Sequence, residues 1–307
     1  MESENKKFEQ IIQKIDKGST LLEVSRLQDR IAANITLLKI LLSNGQVKKV
    51  IVRVFGTAKI EPRPYIASNE FKLLQTLRLP DTKVPTPLYF DESGKIFSTP
   101  YVVLDYIEGK TEFISSDLSD FILKLTTKLS LIHSVDYKKL DLFFLPKLED
   151  VITKVLNTRP TKIDHSIDEG RIRDTLGRIR PLPIRNKPVL LHGDFWLGNV
   201  LWKNNQIVGI IDWENAMLGD PVVDLAVSRI DFMMGPLGLD VMNDFTEHYK
   251  SMVEADFTYL PYWDLYAALR HASKISKWAK DEAHEKKMLA GHREFTAQAF
   301  EKCRDLY

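Results

Sequence analysis

The chain has 307 residues, of which 44% are hydrophobic and 28% charged, which is typical of a folded globular protein larger than one small domain. Its 43 basic and 42 acidic residues leave a net charge of +1, so we expect no nucleic acid and no anionic membrane as partner. The single cysteine, Cys303, excludes an internal disulfide and a cysteine-based metal site. The amino terminus has no apolar signal core, and no apolar run reaches about 20 residues, so we expect a cytoplasmic protein. We also expect no obligate protein partner.

The first third of the sequence predicts an antiparallel sheet of about five strands that carries one helix. Residues 21–55 contain runs of β-branched and aliphatic residues, and Asn44-Gly45 between two of these runs is a strong hairpin signal. Residues 63–79 switch to the apolar spacing of a helix, and residues 87–107 predict two further strands around a tight turn.

After Gly109 the sequence becomes mainly helical. Amphipathic helical patterns cover residues 117–135, 147–157, 166–180 and most of the chain from 221 onwards. Three short apolar runs interrupt them and predict strands, at residues 188–191, 200–202 and 207–211. We therefore predict a β-rich lobe of residues 1–107 and a mainly helical lobe of residues 108–307.

The polar chemistry is concentrated in the strand-rich insert between the helices. The sequence HGDFWLGN places Asp194 and Asn199 at the two ends of one short loop, and Asp212 follows the apolar run IVGII. Oxygen donors suit a hard cation such as Mg²⁺, which binds few protein carboxylates and takes its other ligands from water and phosphate. We expect Asn199 and Asp212 to hold Mg²⁺ while Asp194 accepts the proton of an attacking hydroxyl.

Two motifs in this order resemble the aminoglycoside phosphotransferase and choline kinase-like group of small-molecule kinases. HGDFWLGN is similar to the catalytic loop of that group, H-G-D-x-x-x-x-N, and IIDWENAMLGDPVVDLA contains the equivalent of its metal-binding motif. The resemblance implies an α+β, two-lobed protein-kinase-like fold, with an antiparallel β-rich first lobe carrying one main helix and a mainly helical second lobe. It also implies Mg²⁺-dependent transfer of the ATP γ-phosphate to a hydroxyl, with Asp194 as base and Asn199 and Asp212 as metal ligands.

The resemblance further implies that the first lobe binds the nucleotide. Arg53 stands on a strand where protein kinases have a phosphate-binding lysine, and Glu70 on the following helix would pair with it. The segment LQDRIAANITLL has no glycine where a glycine-rich loop is expected, and Asn34 is the best match to that loop. The backbone from Asp105 to Ile107 resembles the hinge that pairs with adenine. ATP is the expected donor, and GTP stays open because a loop without glycine covers phosphates less closely.

Neighbours of the two motifs are expected to have structural roles. His192 would brace the catalytic loop, and Gly193 marks a backbone conformation that other residues avoid. Asp220-Pro221 is a typical helix start. Asp224, one turn into that helix, is placed to brace the catalytic loop as well.

The acceptor is expected to be a small hydroxyl-bearing metabolite that binds near the catalytic loop. Trp196, Glu214 and Asp231 are the candidate contacts, with Asp264 or His271 as later alternatives. Aminoglycoside sites need clustered carboxylates, whereas the acids of this chain are spread out and balanced by bases, so we do not expect an antibiotic-modifying enzyme. A sugar, an amino alcohol and a nucleoside-like compound all stay open.

Two other functions stay open on the sequence. A nucleotide-binding pseudoenzyme or regulatory module of the same fold would account for the glycine-free segment and for Arg53. The presence of Asp194, Asn199 and Asp212 argues against it. A protein kinase is a third possibility, but the sequence has no recognisable D-F-G or A-P-E motif.

Overall fold

The computed structural model describes residues 2–27, 33–60, 63–78, 82–111 and 113–306. The chain forms two compact units, of which unit 1 comprises Met1–Gly109 with Val208–Glu214, and unit 2 comprises Lys110–Ile207 with Asn215–Tyr307. The sequence-based lobes, 1–107 and 108–307, differ from these units in one respect that concerns function. The segment that carries Asp212 packs with unit 1.

In the described residues, the secondary structure alternates between strands and helices in the first unit and is mainly helical in the second. The strands are β1 (Thr20–Arg26), β2 (Ala33–Leu41), β3 (Val47–Phe55), β4 (Pro87–Asp91), β5 (Tyr101–Asp105), β6 (Val189–Leu191), β7 (Val200–Lys203), β8 (Gln206–Ile210) and β9 (Met217–Gly219). The helices are α1 (Glu2–Ile15), α2 (Thr57–Ile60), α3 (Ile66–Thr76), α4 (Leu118–His133), α5 (Leu148–Asn157), α6 (Glu169–Ile179), α7 (Val222–Met234), α8 (Gly238–Met252), α9 (Leu260–Leu269), α10 (Ile275–Trp278) and α11 (Glu282–Cys303).

Unit 1 is built on a five-stranded antiparallel sheet in the order β1-β2-β3-β5-β4, which confirms the predicted sheet. The predicted hairpin joins β2 to β3, where Gly45 has a positive φ of 82° and the Asn44 side chain accepts the backbone N–H of Gln46. A positive φ is the conformation that glycine adopts at least cost, so this turn follows directly from the sequence. The predicted helix is α3, which packs on β4 and β5.

The amino-terminal helix α1 completes the core of unit 1. Phe8, Ile11 and Ile12 recur at helical spacing and are buried against apolar residues of β2, β3 and β5. No helix was predicted there from the sequence. The helix was missed because its charged residues outnumber its apolar face, which becomes recognisable once the sheet that covers it is known.

Unit 2 is organised around α7, whose residues are almost all buried. Arg229 of α7 donates two parallel hydrogen bonds to Asp264 of α9, each 3.0 Å long, and a third of 2.6 Å to Thr246 of α8. A planar guanidinium matches a carboxylate in this two-bond geometry, so one buried ion pair fixes three helices. Asp264 is thereby engaged inside the helical core, whereas the sequence had left it as an alternative acceptor contact.

Short strands interrupt the helices and carry the two motifs. β6 pairs antiparallel with β9, and β7 pairs with β8. Asn204 and Asn205, with φ values of 51° and 58°, form the tight turn between β7 and β8. β9 was not predicted, because its three residues are too few to give a periodic signal. Among the described residues, no helix has both the length and the apolarity to cross a bilayer.

Gly291 provides a test of the helix packing in unit 2. A Cβ added to Gly291 of α11 would overlap the carbonyl oxygen of Met233 and lie 3.1 Å from the Cα of Met234. We expect Gly291→Ala to lower the free energy of unfolding by about 1–3 kcal/mol through overpacking. Urea denaturation measures this change.

Gly177→Ala is the matched control. Gly177 lies in α6, and a Cβ added there meets no atom within 4 Å. This variant should raise the free energy of unfolding by about 0.5–1 kcal/mol through helix propensity. A similar response of both variants would contradict the close approach of α11 to α7.

Candidate active site

The HGD loop begins where β6 ends, at Leu191, and it depends on Gly193. This glycine has a φ of 77°, and a Cβ at this position would overlap the backbone carbonyl of Asn215. Both the backbone conformation and the close approach therefore require glycine. The prediction of a special backbone position at Gly193 is confirmed.

The other end of the loop holds the side chain of Asp194. A 3₁₀ turn, Leu197–Asn199, brings Asn199 back, and its Nδ2 donates to the backbone oxygen of Asp194 (2.9 Å) and to Oδ2 of the same residue (3.2 Å). Asn199 is 1% exposed, whereas the side chain of Asp194 is 30% exposed. The loop thus fixes a carboxylate from the protein side while leaving part of it accessible. With Nδ2 turned towards Asp194, Oδ1 is the atom of Asn199 that can bind a cation.

Trp196 folds back on its own loop. A Cβ at Gly198 would overlap the indole ring of Trp196, so the glycine allows this packing. The ring is half-buried and forms part of the surface of the loop that also carries Asp194. This position is compatible with the predicted acceptor contact, which stays a prediction.

The first two residues of the HGD loop are held by Asp224 of α7. Its carboxylate accepts the backbone N–H groups of His192 (2.7 Å) and Gly193 (2.8 Å) and contacts Nε2 of His133 at 3.2 Å. The predicted bracing role of Asp224 is therefore confirmed. His192 is fully buried, and its Nδ1 accepts the N–H of Asp194 at 3.2 Å, so it also braces the loop as predicted.

A buried hydrogen-bonded chain continues from Asp224 through His133 to Tyr249. Nδ1 of His133 lies 2.5 Å from the Tyr249 hydroxyl, and both side chains are buried. Burial and the negative charge of Asp224 raise the pKa of Tyr249, so the hydroxyl keeps its proton. His133 therefore connects the Tyr249 hydroxyl to the Asp224 carboxylate through its two ring nitrogens.

The carboxyl of Asp224 remains ionised although it is fully enclosed. Burial by itself raises its pKa, but the hydrogen bond with His133, the electrostatic effect of the His133 and His192 rings and the N–H of Gly193 together lower that pKa below its ordinary value. The negative charge thus depends on His133 of α4 together with the groups that the HGD loop presents. Loop conformation and helix position are fixed by the same set of bonds.

A guanidinium from α9 completes the surroundings of Asp194. Nη2 of Arg270, at the carboxyl end of α9, lies 2.9 Å from Oδ1 of Asp194. Both side chains are about three-tenths exposed. Arg270 was not predicted from the sequence, because it lies 76 positions from Asp194 and no motif connects the two residues.

Unit 1 contains a second charged cluster, formed by Arg53, Glu70 and Asp212. Arg53 of β3 pairs with Glu70 of α3 through Nη2, and its Nη1 lies 2.5 Å from Oδ1 of Asp212. The side chains of Arg53 and Glu70 are only 5% and 2% exposed. The structure therefore contains the Arg53–Glu70 pair that the sequence predicted, and it adds an Arg53–Asp212 contact that the sequence did not predict.

Asp212 and the segment around it are held in unit 1 by backbone contacts. The N–H of Ile210 donates to the carbonyl of Lys83 (2.9 Å), and Nη1 of Arg63 donates to the carbonyl of Glu214 (2.6 Å). Asp212 itself has a φ of 68°, a left-handed conformation that is uncommon outside glycine and is most often tolerated by aspartate and asparagine. The strand end thereby turns sharply at the predicted metal ligand.

Around the end of β5, some backbone N–H groups are hydrogen-bonded within the protein and others are not. The N–H of Asp105 donates to Thr86 (2.8 Å) and that of Tyr106 to Lys49 (3.2 Å). Within the part of the chain that the structure describes, the N–H of Ile107 makes no backbone hydrogen bond. Of the residues predicted to form the hinge, Ile107 therefore has the donor available for a ligand.

The remaining predicted site residues are distributed as follows. Asn34 lies in β2 opposite Val54, but its side chain and residues 28–32 of the glycine-free segment fall outside the described residues. Glu214 belongs to unit 1 and Asp231, on α7, to unit 2. Nδ1 of His271 contacts the backbone carbonyl of Ala267 in the same helical segment at 3.0 Å.

The donor set is compatible with Mg²⁺ but does not form a preassembled carboxylate cage. Across the described part of the chain, no group of three or more histidine, cysteine, aspartate or glutamate side chains is placed to hold a metal ion. An amide oxygen of Asn199 and a carboxylate of Asp212 are the hard donors that Mg²⁺ accepts alongside water and phosphate. Because Asn199 belongs to unit 2 and Asp212 to unit 1, their sharing of one cation stays a prediction.

The fold and the HGD loop define a class, the kinases of small molecules with a protein-kinase-like architecture. The sequence profile of the phosphotransferase enzyme family, which includes the aminoglycoside phosphotransferases, matches residues 30–268. The chain belongs to this family. The match confirms the resemblance, the predicted α+β fold class and the predicted enzyme class, a small-molecule kinase.

Comparison with individual proteins adds relatives of low identity. The chain is 25% identical over 216 residues, or 65% of its length, to acyl-CoA dehydrogenase family member 10 of Mus musculus, of which it spans only 20%. Two solved structures share the fold. An amicoumacin kinase in complex with AMP-PNP, Ca²⁺ and amicoumacin has 14% identity, a TM-score of 0.63 and coverage of 90% of this chain and 88% of that one. A thermostable mutant of aminoglycoside phosphotransferase APH(4)-Ia with ADP and hygromycin B has 15% identity, a TM-score of 0.60 and coverage of 97% and 96%.

Asp224→Asn tests the bracing of the catalytic loop. Because the folded pKa of Asp224 lies below its unfolded value, its charge contributes stability that is present above the ordinary carboxyl range and is lost as the pH falls through the folded pKa. We expect the variant to be less stable by about 3 kcal/mol at pH 7, with a difference that shrinks below pH about 4. Urea denaturation across this pH range gives both values.

Asp244→Asn, at an exposed position of α8, is the control and should change stability by less than about 0.5 kcal/mol at any pH. If the Asp224→Asn difference stayed constant between pH 7 and pH 3, the ionised carboxylate would not be the bracing group.

Proposed function

We propose that this protein transfers the γ-phosphate of ATP, as its Mg²⁺ complex, to a hydroxyl group of a small molecule. The observation that carries the proposal is the carboxylate of Asp194, held by Asn199 on a loop that Asp224 braces and yet three-tenths exposed. A fixed, accessible carboxylate is what a general base needs in order to meet an incoming hydroxyl.

The proposed step balances around this carboxylate. The acceptor hydroxyl forms a new O–P bond to the γ-phosphorus while the bond from that phosphorus to the bridging oxygen breaks, and ADP leaves. The hydroxyl proton passes to Asp194. Bound Mg²⁺ would neutralise charge on the phosphate oxygens, and Asn199 and Asp212 are the residues proposed to hold it.

The charged cluster of unit 1 supports binding of a phosphate. Nε of Arg53 is buried and has no hydrogen-bond partner among the described atoms, so a donor remains for an anionic ligand. Glu70 and Asp212 carry two negative charges against the single positive charge of Arg53. A metal-bound phosphate can therefore displace the Arg53–Asp212 contact. Asp212 would then bind the metal cation and Arg53 the phosphate, so that neither buried charge is left without a partner.

The segment after β5 supports binding of adenine. Because the N–H groups of Asp105 and Tyr106 are used inside the protein, the N–H of Ile107 is the proposed donor to the base. The carbonyl of Asp105 would be the accompanying acceptor, as the hinge resemblance implies. ATP is the proposed donor, and GTP remains the alternative nucleotide.

A nucleotide-binding pseudoenzyme is the second candidate, and one observation favours it. The pairing of Arg53 with Asp212 neutralises the proposed metal ligand. A module that has lost metal binding could keep this pair permanently. Mg²⁺-dependent nucleotide turnover separates the two functions, since only the kinase requires it.

Asp194→Asn should lower kcat by about 10²- to 10⁴-fold while leaving ATP affinity unchanged, because the general base is lost but the nucleotide contacts of unit 1 are not. Asp212→Ala should instead weaken Mg-ATP binding. ADP release over a panel of alcohols measures turnover, and calorimetric titration measures binding.

The panel combines sugars, amino alcohols, nucleosides, hygromycin B, amicoumacin, hydroxy acids and their coenzyme A thioesters, the last because the curated relatives are named for acyl-CoA dehydrogenases. Asp244→Asn serves as the matched carboxylate control and should retain full turnover. ATP binding by the wild type without phosphate transfer to any alcohol would favour the pseudoenzyme, and turnover retained in Asp194→Asn would exclude Asp194 as the base.

Ile107→Pro tests the hinge, because proline has no backbone N–H and Ile107 lies outside the strands and helices. We expect the Kd for ATP to rise about tenfold, which corresponds to the loss of one hydrogen bond. Ile107→Val keeps the N–H and is the control. Equal ATP affinity in both variants would argue against this donor.

A further inference from the structure

The guanidinium of Arg270 lies beside the carboxylate of the proposed base. Its Nη2 contacts Oδ1 of Asp194 at 2.9 Å, so it lies beside the oxygen pair that would meet the acceptor hydroxyl. Arg270 follows the last residue of α9, and its backbone N–H is bonded to the carbonyl of Ala267. The cation is therefore anchored by a helix end.

Most of the donor capacity of Arg270 is not used by the protein. A guanidinium carries five N–H donors, and only the contact of Nη2 with Asp194 involves them in the described structure. The side chain is 27% exposed. A purely structural arginine is expected to be enclosed and bonded in several directions, as Arg229 is in the same unit.

The chain that follows Arg270 is also positively charged. Residues 270–280, RHASKISKWAK, contain four lysines or arginines and no acid. Lys274, Lys277 and Lys280 are all exposed. His271 does not add to this charge, because burial and nearby cations lower its pKa to about 3 and keep the imidazole neutral. The segment that begins beside the base is thus a cationic surface of unit 2.

We propose that Arg270 recognises the acceptor, and that the acceptor carries a carboxylate or a phosphate close to its reactive hydroxyl. This inference rests on the proposed function. A guanidinium fork grips a planar carboxylate or a phosphate through two parallel hydrogen bonds. Such a grip would place the neighbouring hydroxyl next to Asp194. Lys274, Lys277 and Lys280 would attract further negative charge on a larger acceptor.

The same geometry disfavours a polycationic acceptor. An ammonium group brought to Asp194 would also lie close to the positive charge of Arg270, and like charges at this distance repel. An anionic acceptor instead replaces Asp194 as the negatively charged partner of Arg270. The carboxylate of Asp194 is then released to accept a proton.

Arg270 has one competing role that the experiment separates. A cation beside the base could contact the transferred phosphoryl group instead of the acceptor. In that case its loss would reduce turnover of every acceptor by the same factor. Recognition of the acceptor predicts a loss that depends on the charge of the acceptor.

The test compares each anionic acceptor with a neutral partner. Hydroxycarboxylates such as glycerate and 3-hydroxybutyrate are assayed beside their methyl esters, and glycerol 3-phosphate beside glycerol, with kcat/KM measured by ADP release. The wild type should prefer the anion in at least one pair by about 10- to 100-fold. Comparison of the carboxylate and phosphate pairs identifies which anion is recognised.

Arg270→Gln should abolish this preference, mainly by raising KM for the anion, so that kcat/KM falls by a larger factor for the anion than for its neutral partner. Arg270→Lys should restore part of the preference. Lys286→Gln, which removes one positive charge from an exposed ion pair of α11, is the control and should behave as the wild type. Thermal unfolding of each variant checks that the fold is intact, and should Arg270→Gln not fold, the preference of the wild type and of Arg270→Lys decides.

The outcomes separate this inference from the proposed function. Transfer to neutral alcohols as efficient as transfer to anions would overturn the role of Arg270 and leave the kinase function standing. An equal loss for charged and neutral acceptors in Arg270→Gln would do the same and assign Arg270 to the phosphoryl group. No transfer to any alcohol would overturn the proposed function and this inference with it.

Discussion

The buried carboxylate of Asp224 is the constraint on which the rest of unit 2 depends. It accepts the N–H groups of His192 and Gly193 and is itself held by His133, so helix α7 and the catalytic loop form one hydrogen-bonded assembly. An ionised group enclosed by protein is stable only where donors surround it, and two of these donors are backbone N–H groups of the HGD loop. The position of Asp194 therefore follows from a charge that is not itself part of the chemistry.

In unit 1, too, the buried charged groups are paired with one another. Arg53 is nearly inaccessible to solvent and is shared between Glu70 and Asp212, so each buried charge has a partner before any ligand arrives. Arg270 and Asp194 form the corresponding pair in unit 2, although there both partners are partly exposed. In both units, the residue proposed for chemistry is paired with an arginine. Ligands with the opposite arrangement of charge would exchange with these pairs instead of having to desolvate isolated ions.

The secondary structure was largely predictable because its signals are local. The Asn44-Gly45 turn, the antiparallel strands of unit 1 and the helices after Gly109 follow from turn chemistry and apolar periodicity within short windows. Helix α1 and strand β9 escaped prediction for different physical reasons. The apolar face of α1 is diluted by charged neighbours, and β9 has three residues whose only signature is pairing with β6, about 28 positions earlier.

The sequence by itself determined the residues of the motifs, the fold class and the family, because glycine, aspartate and asparagine at fixed spacing carry a backbone shape and a chemistry together. It also indicated Arg53 with Glu70, and Asp224 as a brace. Only the tertiary structure decided that Arg53 pairs with Asp212, that His133 and Tyr249 stand behind Asp224, and that Arg270 contacts Asp194. These contacts join residues far apart in the chain, and the side chains involved have no periodicity or spacing that would mark them. Their pairing arises from packing of whole helices and strands, which a local pattern does not encode.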